Sequence, residues 1–500
     1  MTMYNIEYFL EQAKENFHTL RVIGEDGNTK YIHSKYYPTR EASYLKDIVN
    51  PEKYDVLIIL GIGLGYHLAY LTEIIHSFTH IICIDINNYL TNACIPEHIH
   101  LLLQNPAIET IIIDPLMPEQ LYKLLSINCS KGIQVIDHQA SFAAFPSAFA
   151  SIKNIVQQII QKSLSNQLTT NYFAARYCKN AIMNIPPLPT CYPVIQCNNM
   201  YHNIPCIIVA PGPSLEESLP LLYKNQNKVY IISVDSAVKV LSSYSIEPDY
   251  IITIDPQPIV YAHLFGVHHH AIIVAMLTAH PAVFSSPVIV SLNSHPLCQL
   301  IEQVFPATIG SIDSRTGTVL GDAVSFAQFS GFSPIGIAGA DFSFPHFITY
   351  VRSTEYHYRY AAAHTRLSPI ETSNMQYIFQ ASKGTLVEQR YSRKVFIQYR
   401  NTIDALIYNT ITYQINVSGL QLKNAVPLST EDFFTLPAIM HYHKKLSPQA
   451  LKQPMDIHWE RLYSYLYNDS IFNELMKASK VGDSYASQLK LLLKLLLQKR

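Results

Sequence analysis

Short apolar runs alternate with stretches of helical period over most of the chain. One early run ends at a turn that begins at Gly61, a second ends at Asp85, and IETIIID (108–114) and GIQVIDH (132–138) follow. The later runs are CIIVA (206–210), VYIISV (229–234), YIITI (250–254), AIIVAML (271–277), VIVSL (288–292) and PIGIAGA (334–340). Apolar strands spaced by helices are typical of parallel sheets covered on both faces. The pattern therefore predicts an α/β fold with two Rossmann-like parallel-sheet domains and a C-terminal helical region.

The segments around these runs predict further elements. MTMYNIEYFLEQAKENF has glutamates at every fourth position, Glu7, Glu11 and Glu15, which indicates an amphipathic helix. TLRVIGEDGNTKYIHS predicts a hairpin with Asp26-Gly27 at its turn. TYQINVSGLQLKNAV (412–426) predicts a second, hairpin-like element, and the leucine-rich SQLKLLLKLLLQKR ends a helical tail that favours core burial or a dimer contact.

Composition shifts suggest where the domains begin and end. Residues 150–185 have a helical pattern, and the proline-rich PPLPTCYP (186–193) indicates a boundary near residue 190. We predict an N-terminal Rossmann-like, methyltransferase-like domain (1–150), a helical linker (151–195), a central nucleotide-binding domain (196–430) and a C-terminal helical domain (431–500).

Charge and cysteine content narrow the class of protein. The chain has 36 Lys and Arg against 37 Asp and Glu, and charged residues make up 15% of it, which argues against a nucleic-acid binder. Its 8 cysteines form no C-x-x-C pair, so we expect free thiols in a reducing compartment. Because no signal peptide and no apolar stretch of about 18 residues is present, we expect a cytoplasmic protein without a membrane span.

The stretch VAPGPSLEESLPLL (209–222) admits two interpretations. Ser214-x-x-Glu217 before an apolar run fits a capping box, in which the serine side chain satisfies the first helical amides. A strand, a tight glycine turn and a helix N-terminus also make a place where a phosphate could bind. Polar residues recur at the ends of the neighbouring predicted strands, at Asp235, Ser236, Asp255 and Asp341, and this favours a ligand site at that edge.

Three other features carry weaker signals. Gly61, Gly63 and Gly65 with Asp85 fit either a nucleotide-binding turn or close packing between a strand and a helix. The tyrosine- and histidine-rich segment after residue 345 shows no clear period and suggests a lid or insertion. His268–His270 is interpreted as a solvated turn, and we expect no metal site.

Several blocks of sequence resemble the motility accessory factor (Maf) family. The central blocks are APGPSLEESLPLL, ISVDSAVKVLSSYSIEPDYIITIDPQP and RTGTVLGDAVSFAQFSGFSPIGIAGADFSF, and the flanking ones are HSKYYPTREASYLKDI, LGIGLGYHL, TNYFAARYCKN and INVSGLQLKNA. Maf proteins are bacterial enzymes implicated in O-glycosylation of flagellin with nonulosonic acids. The resemblance implies a glycosyltransferase that supports flagellar assembly and motility, with flagellin and a nucleotide sugar as partners.

The central domain is also similar to sialyltransferases that use CMP-sugars and to an archaeal pterin pyrophosphokinase, MptE, that uses ATP. The resemblance implies that the nucleotide contacts one set of small and polar residues: Gly212, Pro213, Ser214, Asp235, Ser236, Asp255, Thr316, Gly317 and Thr318. It implies catalytic roles for Asp341 and Tyr350 and for a histidine base, His357 or His364. Ser343 stands where the family pattern suggests a tyrosine.

The implied reaction is an inverting transfer from a CMP donor to a Ser or Thr hydroxyl. Expulsion of a phosphate needs donors aimed at the leaving oxygens, and a histidine suits the base. No D-x-D pair is present, so no metal cofactor is expected for this reaction. Two alternatives stay open: a pyrophosphokinase using ATP and Mg²⁺, with Asp255 as a candidate ligand, and a non-catalytic flagellin-binding protein.

Overall fold

The computed structural model describes most of the chain and divides it into two compact units. The described residues are 7–14, 17–86, 96–113, 121, 132–286, 288–362, 364–381, 383–444, 454–455, 459–481 and 483–498. The first unit is Met1–Leu168 and the second is Thr169–Arg500, so the boundary falls within one long helix, Pro146–Asn184. Parts of the predicted N-terminal helix, with Glu15, and Asp114 of the third predicted strand lie outside the described residues.

The first unit contains a small antiparallel sheet and a parallel sheet. The antiparallel sheet has the order β1-β2-β3, and the parallel sheet the order β6-β5-β4-β7. The strands are β1 Tyr8–Gln12, β2 His18–Ile23, β3 Thr29–Tyr31, β4 Val56–Leu60, β5 His80–Asp85, β6 Ile108–Ile112 and β7 Ile133–Asp137. The helices are α1 Ala42–Ile48, α2 Leu71–Ile74, α3 Glu97–Leu103, α4 Gln139–Ala144 and α5 Pro146–Asn184. Every residue of β4 is buried, as expected for an interior strand covered on both faces.

The predicted N-terminal helix is wrong, because residues 8–12 form a strand. β1 pairs antiparallel with β2, and Glu11 on β1 lies beside Arg21 on β2 in an ion pair. A spacing of four residues keeps side chains on one face of a strand, with its period of two, as well as on one face of a helix. The hairpin formed by β2 and β3 is confirmed, with Gly27 at a φ of 73° in its turn.

The second unit is built on a nine-stranded parallel sheet. Its order is β18-β17-β14-β9-β10-β11-β12-β13-β8. The strands are β8 Tyr192–Pro193, β9 Cys206–Val209, β10 Tyr230–Val234, β11 Tyr250–Thr253, β12 Ile272–Met276, β13 Ile289–Ser291, β14 Ile335–Ala338, β17 Thr412–Ile415 and β18 Val426–Leu428; β15 Thr385–Val387 and β16 Arg390–Ser392 form a separate hairpin. The α/β fold with two parallel sheets is therefore confirmed.

Helices join these strands and form the C-terminal region. They are α6 Leu215–Asn225, α7 Val238–Ser243, α8 Ile259–Leu264, α9 Pro296–Val304, α10 Val319–Phe329, α11 Glu355–Ala361, α12 Ile370–Gln376, α13 Lys394–Ile407, α14 Thr430–Thr435, α15 Pro437–Met440, α16 Trp459–Tyr467, α17 Asp469–Ala478 and α18 Asp483–Gln498. Among the described helices, none combines the length and apolarity needed to cross a membrane. The six cysteines that the structure describes are buried free thiols.

The predicted hairpin at 412–426 is wrong, since β17 and β18 pair in parallel. The segment between them crosses the end of the sheet instead of reversing tightly. Leu420 donates its backbone N–H to the carbonyl of Asp341, and the Gln414 side chain accepts from the Leu422 N–H at 2.7 Å. These contacts hold the crossover against the end of β14, which a two-residue turn could not reach.

The order in which strands are added to the sheet changes direction between β9 and β14. From β9 it proceeds outward through β10 to β13, and later it returns to place β14 on the other side of β9. Here the two strand ends approach closely, with the Gly212 N–H donating to the Gly339 carbonyl at 2.9 Å. A Cβ on Gly339, whose φ is 73°, would lie 2.0 Å from the Ala210 oxygen, and a Cβ on Gly212 would lie 2.3 Å from the Gly339 oxygen. Only glycine permits this approach.

We expect Gly339→Ala to reduce the free energy of unfolding by several kcal/mol more than Gly266→Ala does. Both glycines have a left-handed φ, 73° and 78°, so both variants incur the same backbone strain of about 1–2 kcal/mol. Gly266 has no atom within 4 Å of its added Cβ, whereas Gly339 meets backbone. Denaturant unfolding of both variants measures the difference, and equal losses would contradict the close-approach argument.

Candidate functional site

Backbone amides hold the turn between β9 and α6. Ser214 lies at the N-cap position, but its side chain makes no capping hydrogen bond, so the predicted capping box is wrong. Its N–H donates instead to the Asp341 carboxylate at 3.0 Å. The N–H of Leu215 donates to the Gly212 carbonyl, and that of Glu216 to the Pro213 carbonyl. The Asp341 carboxylate therefore occupies the helix N-terminus, where unpaired amides were expected. A phosphate that binds at this place would have to displace that carboxylate.

Asp341 joins three segments of the central domain. Its carboxylate accepts from Ser214 on one side and, at 3.4 Å, from the Ser418 hydroxyl on the other, while its carbonyl accepts from Leu420. Only 4% of this residue is exposed. Burial raises the pKa of the Asp341 carboxyl, although hydrogen bonds from Ser214 and Ser418 oppose that shift. In this structure Asp341, the predicted catalytic aspartate, links the turn after β9 to the segment between β17 and β18.

Asp235 follows β10 and is fixed from two directions. Its carboxylate accepts from the Ser236 N–H at 2.7 Å and from the Thr253 hydroxyl, at the end of β11, at 2.8 Å. The Nδ1 atom of His263, on α8, lies 3.7 Å from the same carboxylate. Asp235 and His263 are both buried, so sequence-distant residues from two strand ends and a helix meet here.

Asp255 places a second carboxylate close to Asp235. Its side chain accepts from the Gln257 N–H at 2.8 Å. Burial raises the pKa of Asp255, and the negative charge of Asp235 raises it further. Two interacting carboxylates at adjacent strand ends can accept hydrogen bonds from hydroxyl groups of a ligand or share a cation.

Aromatic rings lie close to this pair of carboxylates. Tyr356 meets the His263 ring edge to face at 5.5 Å, and Tyr350 stacks on Tyr356 at 4.4 Å. Burial raises the pKa of Tyr356, with the charges of Asp235 and Asp255 as further causes. The structure therefore brings Tyr350 close to this pair, together with Tyr356 and His263, which the sequence analysis did not single out. The tyrosine-rich composition of the segment after residue 345 was the signal available for Tyr356.

His357, the first candidate base, lies near Glu216 on the first turn of α6. Val351 donates its N–H to the Pro211 carbonyl at 3.0 Å, which fixes this segment over the glycine turn. The Nδ1 atom of His357 is buried and has no hydrogen-bond partner among the described residues. Burial lowers the pKa of His357, and the positive charge of Arg352 lowers it further, so the ring is neutral near pH 7. His364 lies 3.3 Å from the Ser373 hydroxyl.

The loop before α10 holds the third predicted set, Thr316, Gly317 and Thr318. Gly317 has a φ of 71°, and the Thr316 side chain packs on α10, where a Cβ on Gly321 would lie 1.9 Å from its hydroxyl oxygen. On the first turn of α10, Asp322 is fully buried and neither carboxyl oxygen has a partner among the described residues. Burial, and to a smaller extent the charge of Asp313, raises the pKa of Asp322 well above its usual range. Burial therefore favours the protonated, neutral form of the Asp322 carboxyl in the folded protein.

A family model described as 6-hydroxymethylpterin diphosphokinase MptE-like matches residues 179–346. Residues 179–346 form an MptE-like domain. This domain contains β8 to β14 and therefore Gly212, Asp235, Asp255 and Asp341.

The comparison with solved structures establishes the fold of the chain. The structure of the MAf glycosyltransferase from Magnetospirillum magneticum AMB-1 matches 99% of this chain and 82% of that chain, with a TM-score of 0.51 and 15% identity. Together with the MptE-like domain, this fold confirms the resemblance to Maf proteins predicted from the sequence.

Two curated relatives from Treponema pallidum (strain Nichols) are described as uncharacterised proteins. One is 30% identical over 156 residues, which cover 28% of this chain and 54% of that protein. The other is 29% identical over 123 residues, which cover 24% of this chain and 56% of that protein. The chain thus spans about half the length of the curated relatives it matches.

We expect Asp322→Asn to gain stability over the wild type as the pH rises from 4 to 8. An unfolded aspartate loses its proton above its ordinary pKa of about 3.9. Because the pKa of folded Asp322 is raised, the folded protein keeps this proton to a higher pH, so the wild type loses stability as the pH rises. Denaturant unfolding across this range measures the gap between the two proteins. Glu474→Gln, at an exposed position on α17, is the control and should show no such widening. A gap for Asp322→Asn that stays constant with pH would refute the buried neutral carboxyl.

Proposed function

We propose that this protein is a glycosyltransferase that moves a nonulosonic acid from a CMP donor to Ser or Thr hydroxyls of flagellin in the cytoplasm. The proposal rests on the MptE-like domain within a Maf fold and on one observation in the site. That observation is His357, a partly buried histidine near Glu216 on the first turn of α6, whose pKa is lowered by burial and by the charge of Arg352. An acceptor hydroxyl needs such a group to take its proton.

The aspartate pair and the tyrosines supply the rest of the proposed chemistry. Asp235 and Asp255 stand at the carboxyl ends of adjacent strands, where parallel sheets bind ligands. Their carboxylates suit hydroxyl groups of a ribose or a sugar, which donate hydrogen bonds. The hydroxyls of Tyr350 and Tyr356 suit the phosphate oxygens that gain charge as the donor bond breaks.

A phosphokinase is the second candidate function, because the model that matches residues 179–346 is described as a diphosphokinase. Two carboxylates whose charges interact, Asp235 and Asp255, also suit a Mg²⁺ ion bound with ATP. Titration calorimetry of the full chain with CMP, CDP and ATP, each with Mg²⁺ and with chelator, separates the candidates. Metal-independent CMP binding supports the transferase, Mg²⁺-dependent ATP binding supports the kinase, and no binding favours a non-catalytic flagellin-binding protein.

We expect intact-mass analysis to show flagellin carrying the added mass of a nonulosonic acid when it is co-expressed with this protein and a nonulosonate pathway. The same flagellin without this protein is the control. Unmodified flagellin in the complete system would count against the proposed transfer.

We expect His357→Gln to lower the rate of transfer by about 10²–10⁴-fold with little change in the affinity for the nucleotide, since loss of a general base affects the chemical step. His202→Gln removes an exposed histidine from the same unit and serves as the control, with wild-type rate. Equal rates for His357→Gln and the wild type would remove the base assignment without affecting the transferase proposal.

A further inference from the structure

Three histidines and a glutamate meet in the first unit, outside the site described above. They are His33, Glu41, His67 and His138, and one ligand atom from each lies within 4.8 Å of the others. The three histidines are no more than 7% exposed. The His67 and His138 rings stack at 4.3 Å, and the His33 ring lies 5.4 Å from His138. Buried imidazoles beside a carboxylate are the donor set of metal centres.

The glycine turn after β4 is shaped around this cluster. A Cβ on Gly63 would lie 2.4 Å from Nε2 of His33, and a Cβ on Gly61 would lie 2.9 Å from Cβ of His138. The turn's amides are already used: those of Ile62 and Gly63 donate to the Asp85 carboxylate at 2.6 and 2.9 Å. The turn therefore offers these two amides to Asp85, not to a nucleotide phosphate, and its glycines make room for histidines.

A hydrogen bond assigns the lone pair of His67, and the contacts of His138 leave its Nε2 facing Glu41. The His67 Nε2 lies 3.1 Å from the Gly61 carbonyl, which only an N–H can satisfy, so His67 Nδ1 holds the lone pair. That Nδ1 is buried and has no partner among the described residues. The His138 Nδ1 is bonded to the Ser141 hydroxyl, and its Nε2 lies 4.0 Å from Glu41. Burial lowers the pKa of His138 to about 3 and that of His67 well below its usual range, so both rings are neutral.

His33 is placed to hold the glutamate. Its Nε2 accepts from the Leu64 N–H at 2.8 Å, so the proton is on Nδ1, which donates to Oε2 of Glu41 at 2.6 Å. The other oxygen of Glu41 accepts from the Ser34 N–H at 2.8 Å. A carboxylate oriented by a histidine beside two neutral imidazoles gives a negatively charged site with three groups that can bind a metal.

We propose that His67 Nδ1, His138 Nε2 and the Glu41 carboxylate bind one divalent transition-metal ion, and that His33 acts as a positioning residue for Glu41. Two histidines and one carboxylate make up the protein ligands of catalytic zinc sites and of non-haem iron(II) sites, both of which keep a position open. A cavity of about 580 Å³ adjoins the cluster and is lined in part by Tyr31, Tyr36, Tyr44 and Gln139. That volume suits a small molecule at the open position. The proposal departs from the sequence expectation of no metal and is independent of the proposed transferase site.

Metal analysis of the full chain, purified without chelator, tests the proposal. We expect about one equivalent of a first-row transition metal in the wild type and in His98→Gln, which removes an exposed histidine on α3 of the same unit. His67→Gln and Glu41→Gln should lose that equivalent. His33→Ala should bind the metal roughly 10–100-fold more weakly, as expected for a residue that orients a ligand.

Cobalt and zinc titrations keep the proposal falsifiable if a ligand variant fails to fold. The chelated wild type should gain visible d–d absorption with Co²⁺, lose it on addition of Zn²⁺, and melt at a higher temperature with either ion. Absence of a Co²⁺ spectrum together with no bound transition metal in the purified chain would overturn the proposal. Wild-type metal content in folded His67→Gln would overturn it as well.

Discussion

The hydrogen bonds between the turn after β9 and the turn after β14 determine where the central domain can place a site. At this switch point Gly212 donates to the Gly339 carbonyl, and the Ser214 N–H donates to the Asp341 carboxylate. Neither glycine tolerates a Cβ, because backbone atoms lie 2.0 to 2.3 Å from where it would be. The crossover that leads to β18 is bonded to the same aspartate through Leu420. Loss of these hydrogen bonds would move the ends of β9 and β14 and the residues that follow them.

In both parallel sheets a carboxylate accepts hydrogen bonds from the backbone amides of a glycine turn. In each, a glycine turn follows a central strand and leaves backbone amides that need acceptors. A carboxylate from the end of a neighbouring strand supplies the acceptor: Asp85 in the first unit and Asp341 in the second. Such a turn resembles a phosphate-binding turn in sequence, yet its amides are already bonded. The residues around each turn, not the turn amides, are then available for ligand chemistry.

Buried titratable groups mark both candidate sites. In the MptE-like domain, Asp235, Asp255 and His263 lie close to Tyr356, on which Tyr350 stacks, and the pKa of Asp255 is raised by burial and by the charge of Asp235. In the first unit, His67 and His138 are kept neutral by burial beside Glu41. Isolated buried groups of this kind destabilise a fold, so their concentration at two places is typical of functional sites.

The sequence alone determined the alternation of strands and helices, since apolar runs bounded by glycine and proline report burial directly. It also singled out Asp235 and Asp255, because polar residues at strand ends stand out from apolar runs, whereas Tyr350 came only from the resemblance to Maf proteins. The tertiary structure decided what periodicity left ambiguous: a four-residue spacing fits both a helix and the strand Tyr8–Gln12, and parallel pairing of β17 with β18 depends on contacts with Asp341. The histidine cluster was invisible in sequence, since positions 33, 41, 67 and 138 share no local pattern and meet only when β3, α1, β4 and β7 are assembled. Local chemistry fixes the elements, but the side chains that form a site are chosen by packing between segments far apart along the chain.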